Sequence, residues 1–144
     1  MTDLNRRSAA EVFEDHLRLA AEGDFDGDLA RNVAEGIVAL TPRGVFRGHA
    51  GVRELARQLM EEIPSGEWRY HQQLVEGRIA FLEWTVESGP FRVPDGADSF
   101  VIEDGKIQAQ TIHYTVTDPD GNVVIRPDGT RPERPSGTPW AVSP

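Results

Sequence analysis

Asp98 and His113 are the residues of this chain best placed to move a proton. They stand on the two arms of an alternating segment, residues 98–114, bent at Asp104-Gly105. Asp-Gly between such runs marks a two-residue type I′ hairpin, because both loop positions need φ > 0. That turn pairs Glu103 with Lys106 and Ile102 with Ile107, and continues outward to Asp98 opposite Thr111. Strand side chains alternate, so one face collects Asp98, Phe100, Ile102, Ile107, Ala109, Thr111 and His113. This more apolar face is expected to look inward. On it the carboxyl and the imidazole lie diagonally, roughly 7–8 Å apart at the backbone. A carboxyl on an apolar face raises its pKa, pairs or accepts hydrogen bonds, and a neighbouring imidazole tunes it in turn. The chemistry indicated is acid–base catalysis in a pocket.

Other candidates follow from position. His16 lies in the inner stripe of a helix with Ala9, Phe13, Leu17 and Ala20, where a histidine is either pocket lining or a satisfied core residue. His71 shares its parity with Val75, Ala80, Leu82, Trp84 and Val86. Trp68, Tyr70, Leu74, Ile79 and Phe81 form the opposite set. Both sets are apolar, so the sequence leaves open which one lines a cavity, and core packing suits Trp84 equally well. The histidines at 16, 49, 71 and 113 match no metal-ligand spacing, and His49, opening a helix, reads as structural. There is no cysteine and no Gly-x-Ser-x-Gly, so thiol and serine-hydrolase chemistry find no support.

Bulk properties narrow the partners. A net charge of −9 without a basic run argues against nucleic acid and anionic membranes. No stretch is long and apolar enough to span a bilayer. The expectation is a cytoplasmic protein whose partners are small molecules or other protein chains.

The elements that position these residues are legible. Ser8-Ala9-Ala10-Glu11 is a capping box opening a helix that runs to Glu22, with Gly23 as a left-handed terminator. A short helix over Asp28–Ala34 and a strand over Gly36–Thr41 follow. Gly48-His49-Ala50-Gly51 opens a helix whose stripe is Val52, Leu55, Ala56, Leu59, Met60 and Ile63, stopped by Pro64. The period then switches to two, with strands at 68–76, 79–88, 91–94 with 98–103, and 106–117. Helices first and antiparallel strands after define an α+β fold. Residues 118–144 form an extension holding six of the ten prolines. It reads as a turn, a short strand over 122–126, a turn and a tail. Trp140 in that tail is either an anchor or disordered.

Three segments together resemble a known family. Ala20-Ala21-Glu22-Gly23-Asp24, then Arg43-Gly44-Val45-Phe46-Arg47-Gly48-His49-Ala50-Gly51-Val52-Arg53, then Glu103-Asp104-Gly105-Lys106-Ile107 resemble the nuclear transport factor 2-like superfamily over about residues 8–117. The SnoaL-like branch with its polyketide cyclases is the nearer match, and ketosteroid isomerase a more distant one. The resemblance implies a cone of helices on a strongly curved antiparallel sheet, a ligand pocket in its wide end, and a homodimer through the sheet. It places His16 where ketosteroid isomerase has its oxyanion-hole tyrosine, Asp98 where it has a protonated aspartate, and Thr41-Pro42 where it has its general base. Threonine cannot take that last role unaided.

Asp98, His113 and His16 are thus the expected catalytic groups, with Thr41, Phe46, His71, Trp84 and Phe100 contacting substrate. The reaction expected is a cyclisation, isomerisation or dehydration of a small apolar carbonyl compound, without metal or cofactor. A non-catalytic binding or dimerisation module is the competing expectation. An epoxide hydrolase of the limonene type needs clustered Asp, Arg and Asp, and strand 79–88 offers only Glu83 and Glu87.

Overall fold

The structure, a computed structural model, describes residues 3–133; Trp140 lies outside them. A 3-10 turn (Leu4–Arg6) leads into α1 (Ala9–Glu22) and α2 (Phe25–Asn32). The strands β1 (Val33–Thr41) and β2 (Gly44–Arg47) precede α3 (Gly48–Glu62), and β3 (Glu67–Glu76), β4 (Ile79–Ser88), β5 (Phe91–Glu103) and β6 (Lys106–His113) follow. Two short strands, β7 (Val116–Thr117) and β8 (Val123–Ile125), are the last elements among the described residues.

Among the described residues all eight strands join one curled sheet in the order β2-β1-β6-β5-β4-β3, with β7 on β5 and β8 on β7. β1 runs parallel to β6, and every other pairing is antiparallel. The expected α+β cone is what the chain forms.

Local signals acted as physical chemistry dictates. Ser8 and Glu11 cap α1 reciprocally, and Gly23 ends it at φ 76°. Asp104 and Gly105, at φ 54° and 72°, make the left-handed hairpin turn. Other boundaries moved. The second helix begins at Phe25, because Asp24 caps it by accepting from the Gly27 N–H, and β1 begins at Val33. The two predicted strand pieces at 91–94 and 98–103 are one bulged strand.

Gly96 belongs to that strand rather than to a turn. It pairs with Trp84, and a Cβ there would collide with the indole. The absent side chain is the seat on which Trp84 lies.

The core fills the concave side of the sheet. Val12, Phe13 and Leu17 of α1 and Leu29 of α2 meet Ile37, Leu82, Trp84, Phe100, Ile102 and Ile107. Val124 and Ile125 bring the start of the C-terminal extension into the same core. By contrast α3, packed on β1 and β2, buries none of its residues fully. The concave face is therefore covered unevenly.

A buried ion pair joins the β1–β2 turn to the end of α3. Arg43, in the β1–β2 turn, grips Glu62 at 2.6 and 2.8 Å, and Tyr114 donates to the same carboxylate at 2.8 Å. The Arg43 guanidinium also lies over the Tyr114 ring, 5.1 Å from its centroid.

Candidate active site

The hairpin does not keep the expected register. Glu103 pairs with Lys106 and Ile102 with Ile107, but Val101 then pairs with Ala109. Gln108 is an extra residue, a bulge, and its side-chain amide donates back to the Glu103 carbonyl at 2.9 Å. Beyond it every β6 side chain changes face. Asp98 pairs with Ile112 rather than Thr111, and His113 lies opposite Ala97. His113 is exposed on the convex side, away from Asp98. The expected Asp98–His113 pair does not exist.

The same bulge brings other residues inward. Gln110 and Ile112 now share the concave face with Asp98 and Phe100. Asp98 Oδ1 accepts from Trp84 Nε1 at 3.0 Å, and Oδ2 faces Gln110 Nε2 at 3.4 Å. The residue is part-exposed, yet its carboxyl is enclosed by protein at the longer range that sets solvation. Burial pushes it up to about 6, against the opposing pull of the Trp84 bond, the His16 charge and the Gln110 bond. A carboxyl so tuned can both hold and release a proton near neutral pH.

A second bulge, at His71, decides the face left open by the sequence. Tyr70 pairs with Trp84 and Gln72 with Glu83, so Trp68 and Tyr70 join Trp84 on the concave side. Trp68 packs on Trp84 with ring centroids 4.9 Å apart, and Trp84 on Tyr114 at 5.8 Å. Burial, and then the Asp98 charge, hold the Tyr70 phenol above its usual value. His71 is exposed and bonds the Thr85 hydroxyl at 2.7 Å. It is not a pocket residue.

The other expected residues divide. Phe100 is buried between Phe13 and His16, each 5.4 Å away ring to ring. Trp84 is both core and site, its ring buried and its N–H on Asp98. His16 faces inward and its Nδ1 lies 2.7 Å from Asp28 Oδ2. Thr41 is committed to its own turn, accepting from the Arg43 N–H at 2.9 Å and donating to the Gly44 carbonyl at 3.3 Å. Phe46 is half-buried beneath α3, close against Gly51. His49 bonds the Val33 carbonyl at 2.9 Å, a structural role.

Sequence reasoning missed Tyr70, Gln110 and Asp28. The two bulges hid the first two. Asp28 carried a signal, since it lies twelve residues from His16 in the next helix, but only the α1–α2 packing joins them. A charged cleft of about 320 Å³ beside Arg7, Glu11, Asp15, Arg18 and Arg31 lies outside this site. Its arginines are already bonded to Asp15, Glu22 and Asn32.

The architecture agrees with known proteins. The family model described as a SnoaL-like domain matches residues 13–110. The chain belongs to the SnoaL-like family. Solved structures share the fold of this SnoaL-like chain. A steroid delta-isomerase from Pseudomonas aeruginosa is 24% identical with a TM-score of 0.61, covering 78% of this chain and 82% of its own. A protein described as a SnoaL-like polyketide cyclase from Mesorhizobium loti is 21% identical with a TM-score of 0.54, covering 75% and 100%. An epoxide hydrolase of M. tuberculosis is 22% identical with a TM-score of 0.57, covering 74% and 81%. No curated protein is significantly similar to the chain. No helix among the described residues is long and apolar enough to cross a membrane.

Proposed function

We propose that this SnoaL-like protein is a cytoplasmic, cofactor-free acid–base enzyme acting on a small, largely apolar carbonyl compound, by cyclisation, isomerisation or dehydration. One observation carries the reading. A carboxyl held by Trp84 and Gln110, and raised by burial to about 6, stands among the aromatic rings of Trp68, Tyr70, Trp84 and Phe100. Apolar rings bind a carbonyl compound by its faces, and the polar groups then act at one edge of it. The Asp98 carboxylate takes the proton beside the carbonyl while the electron pair moves onto the carbonyl oxygen. Its conjugate acid returns that proton elsewhere on the carbon frame. The isomerase, cyclase and epoxide hydrolase among the fold's relatives are in keeping with such a site, and the acid–base residues favour the first two.

Asp98→Asn tests this in turnover assays over a panel of enolisable ketones and polyketide-like carbonyl compounds. The expected result is a loss of about a hundredfold or more in kcat with KM little changed. Full turnover by the variant overturns the mechanism. A wild-type protein that binds panel members without converting any supports the binding-module reading instead, which the turn-bound Thr41 hydroxyl favours.

We further propose a homodimer through the convex face of the sheet. Leu74, Ile79, Leu40 and Val45 are 50–56% exposed there, and Phe81, Val101, Ala109 and Val38 continue the band between them by strand pairing. With −9 on the chain, two copies repel over most of their surface. A band of neutral side chains lets them meet without opposing like charges.

A further inference from the structure

His16 is set within a chain of bonds that ends at a fully committed arginine. Arg7 is nearly buried, with its side chain 7% exposed. Its Nε donates to the Leu4 carbonyl, and its two terminal nitrogens donate to the Arg31 and Gly105 carbonyls and to Asn32 Oδ1, the last at 2.8 Å. Arginine has no acceptor, so Asn32 must present its oxygen to Arg7. Its NH₂ is thereby turned toward Asp28, where Nδ2 donates to Oδ1 at 2.9 Å. Asn32 is wholly buried and Asp28 only 6% exposed, so neither amide orientation nor carboxyl partner is exchanged with water. One Asp28 oxygen is occupied by the amide, and the other, Oδ2, meets His16 Nδ1 at 2.7 Å.

We propose that the Arg7–Asn32–Asp28 chain makes His16 a second proton-transfer group beside Asp98, by holding it as the Nδ1–H tautomer and so leaving Nε2 as a free base. This rests on the acid–base reading of that site and refines it. The resemblance to ketosteroid isomerase implies that His16 donates; the hydrogen-bond chain makes it an acceptor. Among the described residues no protein group bonds Nε2. The ring stands edge-on to Phe100 at 65°, two residues along the same face from Asp98. The anchoring carboxylate fixes the tautomer. Here Nε2 takes the proton beside the carbonyl in place of the Asp98 carboxylate, with the electron pair moving onto the carbonyl oxygen. Protonated Asp98 delivers a proton at a different carbon, and a proton passing from the imidazolium to the Asp98 carboxylate resets the pair. Two groups at separate points suit a shift of a proton over several bonds, which one carboxyl reaches less easily. Asp28 is then catalytic only through His16, as a positioning residue, with Asn32 and Arg7 behind it.

The test reads the imidazole directly in the ¹⁵N-labelled full-length protein, by long-range correlation of the ring carbon protons to both nitrogens in alkaline buffer. The wild type is expected to show His16 protonated at Nδ1 alone. In Asp28→Asn, Asn32 still donates to the side-chain oxygen, so the new amide NH₂ faces Nδ1 and the tautomer inverts to Nε2–H. Turnover then falls about a hundredfold or more at nearly constant KM. Asn32→Ala frees Asp28 and is expected to yield a mixture of tautomers. Wild-type His16 protonated at Nε2, or an Asp28→Asn variant that keeps Nδ1–H, overturns the proposal. The wild-type measurement needs no variant to fold and no substrate. A correct tautomer together with a fully active Asp98→Asn variant would refute the Asp98 mechanism and leave the His16 assignment standing.

Discussion

At the residue scale, Asp98 is held at a thermodynamic cost that pH exposes. Its folded-state pKa stands near 6 against an ordinary value of 3.8, through burial first. A carboxyl whose pKa rises on folding is more tightly protonated in the folded state. Its contribution is therefore most favourable below the unfolded value and is lost as pH rises through about 6. Two units correspond to about 3 kcal/mol once the carboxylate is ionised. Asp98→Asn removes the charge and keeps an acceptor for the Trp84 N–H. Urea unfolding should find the variant more stable relative to wild type near pH 7.5 than near pH 4, by about 2–3 kcal/mol. An equal difference at both pH values would mean that the carboxyl is solvated as an ordinary surface group.

At the element scale, one residue in β6 determines which chemistry the sheet presents. The Gln108 bulge keeps the Asp104-Gly105 turn and the Ile102–Ile107 pair, then turns Gln110 and Ile112 inward and His113 outward. Deleting Gln108 joins Ile107 directly to Ala109, which makes the ladder regular and leaves the pairs Val101–Ala109, Phe100–Gln110 and Asp98–Ile112 and their faces unchanged. The cost is expected to be local, the lost Gln108 bond to the Glu103 carbonyl and the altered curvature, about 1 kcal/mol read as the shift of the urea midpoint at constant slope. A loss of several kcal/mol would show that the bulge supports the packing of the whole sheet. Here the sequence and the structure parted for a physical reason. Turn chemistry is local and was legible in Asp104-Gly105, whereas a bulge relieves the curvature of the whole sheet and has no signature in Gln108 itself. The bulge at His71 hid the inward face of Tyr70 in the same way.

At the scale of the whole molecule, the two faces of the sheet have separate tasks. The concave face carries the carboxyl and the rings and meets the imidazole of α1, while the convex face carries Leu40, Val45, Leu74 and Ile79 in contact with solvent. A stable pairing of copies requires about 800 Å² from each, which a six-strand face can supply. Light scattering after size exclusion should give twice the chain mass for the wild type. Leu74→Asp with Ile79→Asp should give a monomer, because isologous contact places four new carboxylates in one interface. A wild-type monomer at high micromolar concentration would remove the dimer from the account.

The amino-acid order alone determined what neighbours in the chain decide: the capping box and glycine stop of α1, the left-handed bend at 104–105, the alternation of the later strands, and a carboxyl at 98 on the same face as Phe100. Periodicity and turn preference act over a few residues, so they could be read directly. Which groups meet was decided only in three dimensions. Asp28 reaches His16 through the packing of α1 on α2, the Trp84 indole reaches Asp98 across Gly96, and sheet curvature exchanged His113 for Gln110. Those contacts depend on register and packing over distances at which a single inserted residue reverses every side chain beyond it.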